Sequence, residues 1–373
     1  MALKILYAAF ARMPTEKAHG AQIMHTCAAL GSLGCEVLLA LPGRKTAIAE
    51  DPFAYYRVER TFKIVTLPVL DLLSLGRIGF LVSSFLFALR AASRAKREGV
   101  GVAYTRDRMT AFLFYFLLSK KITLAFEAHG QEPRGLVKLL SRRALFVGIT
   151  NGVKEILVER GAKPEAVLVA HDGVSLEDFA RPESKEAARA RLGLPQDEKI
   201  ALYIGRLDGW KGAQTLLEAS NLLPKGVLVA IIGGEAALVG ALRAKYPRAR
   251  FLGYHEYREL PGNQAAADAL VLPNTARDIT SARYTSPLKL FSYMASGRPI
   301  VASDLPSLRE VISEESAYFA KPDDPKSLAD AIMQALNDER AESRAQKAKE
   351  LVSAYDWRER GRSIKEFIEH QRI

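Results

Sequence analysis

Short apolar runs, rich in aliphatic and β-branched residues, recur along the whole chain, and helical spacing fills the intervals between them. In the first half the runs are KILYAAF, EVLLALP, FKIVTLPV, VAYT, ITLAFEA, LFVGIT and AVLVA; in the second they are KIALYIG, VLVAIIGG, RFLG, ALVLP, PIVAS and AYFA. A strand that is apolar on both faces is covered on both faces, and strands separated by helices pair in parallel. The pattern therefore predicts an α/β protein with two parallel sheets. Between the two series lies HDGVSLEDFARPESKEAARARLGLPQDE, which is polar, Pro-bearing and dense in charge. It reads as a linker with the domain boundary near Leu176. A first domain over 1–175, a second over 176–355 and a closing helix over 356–373, with Trp357 at its start, follow from this reading.

Composition changes that picture little. A chain of 373 residues is long enough for two cores, and 49% hydrophobic with 25% charged residues is ordinary for a globular protein. Cys27 and Cys35 are the two cysteines; they form no disulfide framework or metal spacing, which suits a reducing cytoplasm. KILYAAF runs directly into ARMPTEKAHG and reads as a first strand, not a signal peptide. The most apolar helical stretch, Ile78 to Leu89, is enclosed by Arg77 and Arg90 and reads as too short to span a bilayer.

Charge adds more. Residues 1–174 hold 24 Lys and Arg against 14 Asp and Glu, whereas the remainder holds 29 against 28. Nearly all the excess of +11 lies in the first half, which implies an anionic partner such as acidic lipid headgroups or a lipid-linked diphosphate. Phe80 to Leu89 and Ala111 to Leu118 are apolar and flanked by cations, among them Arg90, Arg94, Lys96, Arg97, Lys120 and Lys121. That pattern fits either a bilayer surface or core helices with solvated ends.

Two segments of the second half carry the chemistry. After the strand KIALYI, the loop GRLDGWKG sets Arg206 and Lys211 between glycines, Gly205 foremost. Glycine allows close backbone approach to an anion, and the two cations supply charge. Further on, SPLKLFSYMASGRPIVAS reads as a helix opening after Ser286-Pro287, followed by a buried strand. The N–H groups around Ser286, Leu288 and Lys289 would meet a phosphate at that helix start; Pro287 has no N–H to give and suits the first turn. Two anion-binding devices of different kinds imply a diphosphate ligand. Gly233 and Gly234 end VLVAIIGG and leave room for a nucleotide at a strand end, and Gly20 opens the first helix, where its backbone could approach the diphosphate. Arg106, Glu127 and His129 also fall just after strands, where acceptor or donor groups would be met. No Asp-x-Asp motif is present and the six histidines show no metal-ligand spacing, so no metal and no other cofactor is expected.

Together these segments resemble the retaining glycosyltransferases of family four, glycosyltransferase group 1, with the two-Rossmann-domain architecture called GT-B. The resemblance extends over nearly the whole chain, most specifically from Lys17 to Pro42 and from Gly205 to Ser303. It implies parallel sheets facing a central cleft, a nucleotide-sugar donor on the second domain, a carbohydrate or lipid-linked acceptor on the first, and a final helix crossing back to the first domain. The residue-based alternative for that helix is packing wholly on the second domain. The resemblance also implies that His129 stands near the hydroxyls of the transferred sugar, that Phe251 to Tyr254 read the base edge, and that the departing phosphate takes the acceptor's proton. One departure stands out: the family's paired glutamates, eight positions apart, are here Tyr284 and Ser292. Tyr284 is left to offer a hydroxyl or ring face, and Ser292 to reach the ribose through water. The implied function is transfer from a UDP- or GDP-sugar in cell-surface polysaccharide or glycolipid synthesis, in the cytoplasm or on the inner face of its membrane. The alternatives are a catalytically degenerate sugar-nucleotide binder and a sugar-nucleotide epimerase of the same fold. Nucleic acid is not expected, because no recognition helix or aromatic-basic interleaving accompanies the positive charge.

Overall fold

A computed structural model describes residues 2–207 and 209–371, so Asp208 of the GRLDGWKG loop lies outside the described residues. The chain forms two compact units: Met1–Asp172 together with Trp357–Ile373, and Gly173–Asp356. Each of the thirteen apolar runs is a strand.

In the first unit these are β1 (Lys4–Ala8), β2 (Glu36–Pro42), β3 (Lys63–Leu67), β4 (Val102–Thr105), β5 (Thr123–Ala128), β6 (Ala144–Gly148) and β7 (Val167–Val169). Among the described residues they make one parallel sheet in the order β3-β2-β1-β4-β5-β6-β7. The second unit has β8 (Lys199–Ile204), β9 (Val227–Ile232), β10 (Ala249–Gly253), β11 (Ala269–Leu272), β12 (Ile300–Ser303) and β13 (Tyr318–Ala320). These also run parallel, in the order β10-β9-β8-β11-β12-β13.

The strand order reverses between β1 and β4 in one sheet and between β8 and β11 in the other. At such a reversal the loops leaving neighbouring strands pass to opposite faces and leave a crevice at the carboxyl edge. The strand sequences explain the layering: β4, β6, β11 and β12 are buried at every residue, as strands covered by helices on both sides must be.

Two expectations change, and the final helix takes one of the two places open to it. From Gly173 on, the stretch read as a linker is part of the second unit, and Val174, Phe179, Ala188, Leu192 and Leu194 join its core. Its charge misleads because Arg189 is buried, donating to the carbonyls of Ala266, Gln196 and Glu198 and pairing with Asp268 at 2.5 Å. The final helix, Trp357–His370, belongs to the first unit and lies on the helix Ala18–Ser32. There the His25 ring stacks on Trp357 at 5.3 Å between centroids, and Gly361 packs against Ala29. Finally, the apolar helix is longer than Ile78 to Leu89. It runs over Gly76–Glu98 after a turn at Leu73–Leu75, and by length and composition that stretch, with mean hydropathy 1.5 over its most apolar window, could cross a membrane.

Candidate functional site

The carboxyl edge of the second sheet is laced together by backbone. β8 is buried to its end, where the Ile204 N–H donates to the Tyr293 hydroxyl at 2.9 Å. The Gly205 N–H then donates to the Ile232 carbonyl at 2.9 Å, and the Gly233 N–H to the Gly253 carbonyl at 2.6 Å. Gly233 has φ 116°, and a Cβ there would come within 2.2 Å of the Gly205 oxygen. Its glycine is thus demanded by the approach of two strand ends, and a bare backbone surface results.

Lys289 completes this edge. Its ammonium lies 4.1 Å from the centroid of the Tyr203 ring, and a Cβ on Gly205 would stand 2.5 Å from Nζ. The Tyr203 hydroxyl in turn donates to the Arg206 carbonyl at 2.6 Å, which fixes the start of the loop. Arg206 is exposed and Lys211 half-buried, with its Nζ 3.5 Å from the centroid of the Trp210 ring. Gly212, at φ 70°, ties the loop to the end of β11, since a Cβ there would fall 1.7 Å from the Pro273 oxygen. The fold therefore brings Gly205, Arg206, Gly233 and Lys289 together at neighbouring strand ends. Gly234 follows at φ 88° against Leu207, and Tyr254 follows β10 with 58% of its surface exposed.

The helix Leu288–Ser296 starts after Pro287, and no side chain caps it. The N–H groups of Leu288 and Lys289 open its first turn, beyond Ser286. The two residues standing where the family has glutamates do not take up the roles assigned to them. Tyr284 is 4% exposed, at the end of the π-type turn Thr280–Tyr284, so its ring presents no open face. Ser292 is buried, accepting from Gln264 Nε2 at 2.9 Å and donating to the Lys289 carbonyl at 3.0 Å, so its hydroxyl is engaged within the protein.

In the first unit a polar cluster gathers at the ends of β4 and β5 and on the first helix. Glu127 has no exposed surface. Its Oε1 accepts from Gln22 Nε2 at 2.5 Å and lies 2.7 Å from His129 Nε2, while its Oε2 meets the Tyr104 hydroxyl and the Arg360 guanidinium, the latter at 3.1 Å. Arg106 donates to Gln22 Oε1 at 2.6 Å. Arg360, from the final helix, also donates to Thr26 Oγ1 at 2.9 Å and to the His171 carbonyl at 3.0 Å.

Burial pushes the Glu127 carboxyl up, but the Arg360 charge and the His129 hydrogen bond outweigh it and hold the group well below the usual range. Burial, then Arg106, press His129 down to about 4 despite Glu127. An ionised Glu127 facing a neutral imidazole requires the proton on Nε2, which leaves the lone pair on Nδ1. Burial, with Arg106, Lys17 and His129, likewise presses His19 down to about 4. Glu127, expected at the acceptor or sugar, is enclosed and orients its neighbours instead. Gly20 also has a local reason, since a Cβ there would lie 2.1 Å from the Tyr56 hydroxyl, which bonds Thr15.

Sequence reasoning missed His19, Gln22, Tyr104 and Arg360. His19 stands in the same KAHG as Gly20 and could have been found; Arg360 could not, because its partners are hundreds of residues away in sequence. It also missed Asn274, which follows β11 beside Gly212, is fully buried, and has neither side-chain polar atom hydrogen-bonded to protein. Asp323 accepts from Thr275 Oγ1 at 2.5 Å and from the Ala276 N–H at 2.9 Å and anchors the loop beyond Asn274. Among the described residues no group of three or more His, Cys, Asp or Glu could hold a metal ion.

Residues 198–338 match the family model for glycosyl transferases group 1. The match is confined to this segment of the second unit, while the fold as a whole, two Rossmann-like units with parallel sheets, is the GT-B fold. Among curated proteins it is similar to the D-inositol 3-phosphate glycosyltransferases of Mycobacterium bovis and Mycobacterium tuberculosis, each 30% identical over 169 residues. That match spans 43% of this chain and 33% of the relative's length. Among solved structures, sucrose-phosphate synthase from Thermosynechococcus elongatus aligns with a TM-score of 0.80 at 18% identity, over 99% of both chains. Anabaena Alr3699/HepE, in complex with UDP and glucose, aligns with a TM-score of 0.76 at 17% identity, over 98% of this chain and 99% of that one.

Proposed function

We propose that the chain transfers a sugar from a nucleoside diphosphate sugar to an acceptor hydroxyl with retention of anomeric configuration, without a metal. The observation that carries this reading is the strand edge of the second unit. Bare backbone at Gly205 and Gly233, the Lys289 ammonium against it and the exposed Arg206 beside it suit a diphosphate. Gly234 and Tyr254, at the adjoining strand ends, border the nucleoside. UDP is the first nucleotide to test, because Anabaena HepE is solved with UDP and with UDP-glucose; GDP is the comparison.

In this reading the bond from the anomeric carbon to the donor phosphate breaks, and the acceptor oxygen bonds that carbon from the same face. The nucleoside diphosphate leaves with the acceptor's proton. Negative charge grows on the leaving oxygen, so Arg206, Lys289 and a Lys211 drawn off the Trp210 ring stabilise the transition state more than the ground state. The helix start at Leu288 adds N–H groups to the same end. His129, with its lone pair on Nδ1, and Arg106 are assigned to sugar or acceptor hydroxyls. The acceptor is a carbohydrate or a lipid-linked glycan of cell-surface synthesis, met on the cytoplasmic side.

A screen of UDP- and GDP-sugars for donor hydrolysis and transfer tests this reading. At least one donor is expected to turn over, and Lys211→Ala to lower the rate by about a hundredfold or more with unchanged melting. Full activity in Lys211→Ala would sink the assignment. A second reading, a sugar-nucleotide binder without turnover, is favoured by the buried Tyr284 and the engaged Ser292. Calorimetric heat with UDP, but no nucleotide released from any donor, would establish it instead.

A further inference from the structure

The helix Gly76–Glu98 is apolar on two faces. Its inner face, with Ser84, Phe87, Ala88, Ala91 and Ala95, is buried. Ile78, Leu81, Val82, Phe85 and Leu89 recur at helical spacing on a flanking side, and all are exposed, Ile78 by 74%. The helix Arg108–Leu117 packs beside it and adds Phe112 and Phe116, the latter 59% exposed. Scattered exposed apolar residues need no explanation, but a run of this size on two neighbouring helices does.

The charges next to it are mainly positive, and Asp71, just before the helix, is paired with Arg44 at 3.3 Å. Arg77 stands at the start of the long helix, and Arg90, Lys96 and Arg97 are exposed along its second half. Lys120 and Lys121 follow the shorter helix. The acidic residue in the long helix, Glu98, is occupied by Lys4 and Arg94.

We propose that this face docks on an anionic lipid bilayer, with the Gly76–Glu98 helix lying in the interface plane. Its apolar stripe would enter the acyl boundary by about 5–10 Å while the cations meet headgroups. Spanning is disfavoured although the length allows it, because the inner face would have to leave the protein core. A second copy is also disfavoured. A two-fold interface sets a patch against itself and would bring these cations together.

The proposal does not depend on the transfer chemistry. Its test is flotation of the full chain with phosphatidylcholine vesicles and with vesicles containing phosphatidylglycerol. The chain is expected to float with the anionic vesicles alone and to be released by salt. Lys96→Ala with Arg97→Ala should lower partitioning by about twentyfold. Ile78→Ser with Phe85→Ser should lower it by roughly tenfold or more. Both pairs should keep wild-type melting and wild-type donor hydrolysis in solution. Absence of flotation with anionic vesicles, or flotation unaltered by both pairs, overturns the proposal. So does a solution dimer that the serine pair dissolves without any vesicle binding. A catalytically inert chain that still floats separates failure of the transfer reading from failure of this one.

Discussion

Glu127 concentrates four partners, Gln22, Tyr104, His129 and Arg360, on one carboxylate with no exposed surface. A buried charge stripped of its counter-charge is costly, so Arg360→Met should destabilise the chain by about 3–5 kcal/mol. Adding Glu127→Gln should recover part of the loss, since the orphaned charge is then gone. Urea unfolding of the two single variants and the double tests this; strict additivity would contradict the coupling. Asp172, nearby, offers a pH test. Burial pushes its carboxyl up to about 7, against the opposing charge of Arg360. The folded state then binds a proton that the unfolded state has released above about 4, so this residue lowers stability as pH rises from about 4 to 7. Asp172→Asn lacks that loss. Relative to wild type it should gain roughly 1–3 kcal/mol between pH 5 and pH 8, read from melts at the two values; an unchanged difference would refute it. At this scale sequence located positions but not bonds. His129 and Arg106 were legible because residues after parallel strands gather at one edge, and Glu127, read as lying after its strand, is the second-last residue of β5 at that same edge. Whether Glu127 faces a ligand or a neighbour was not, because Arg360 arrives from the far end of the chain.

Among the elements, the loop after β8 separates two kinds of glycine. Gly212 has φ 70° and the Pro273 oxygen where a Cβ would go, whereas Gly209 has nothing within 4 Å. Gly212→Ala should cost roughly 2–4 kcal/mol and Gly209→Ala almost nothing, by thermal or urea unfolding. Equal effects would mean that packing does not set the Gly212 requirement. Strands were fully legible because a run apolar on both faces admits few other readings at that length. Polar segments misled where burial was bought with pairing, as at Arg189 and Asp268. The long helix was read short because Arg77 and Arg90 were taken as its limits, though an exposed side chain need not end a helix.

For the molecule as a whole, the chain leaves its first unit at Asp172 and returns to it at Trp357. Residues 173–356 should therefore fold alone with one cooperative melt. Residues 1–172 should not, because Trp357, Ile364 and Ile368 are buried in the helix they lack and Arg360 is missing from Glu127. Circular dichroism of both fragments, and rescue of the first by a peptide over 357–371, is the measurement; an independently stable 1–172 would overturn the expectation. The two-unit plan was legible from the repeated strand series, but the return was implied by resemblance alone, since a terminal amphipathic helix can pack on either unit. The return also reverses the usual order of maturation on the ribosome. A first domain ordinarily closes while later ones are still being made. Here the segment that completes the first unit is translated after the entire second, so the amino-terminal half stays unfinished until residues 357–371 have been made. During that interval Glu127 lacks its guanidinium, and the apolar surface that Trp357, Ile364 and Ile368 later cover stays open.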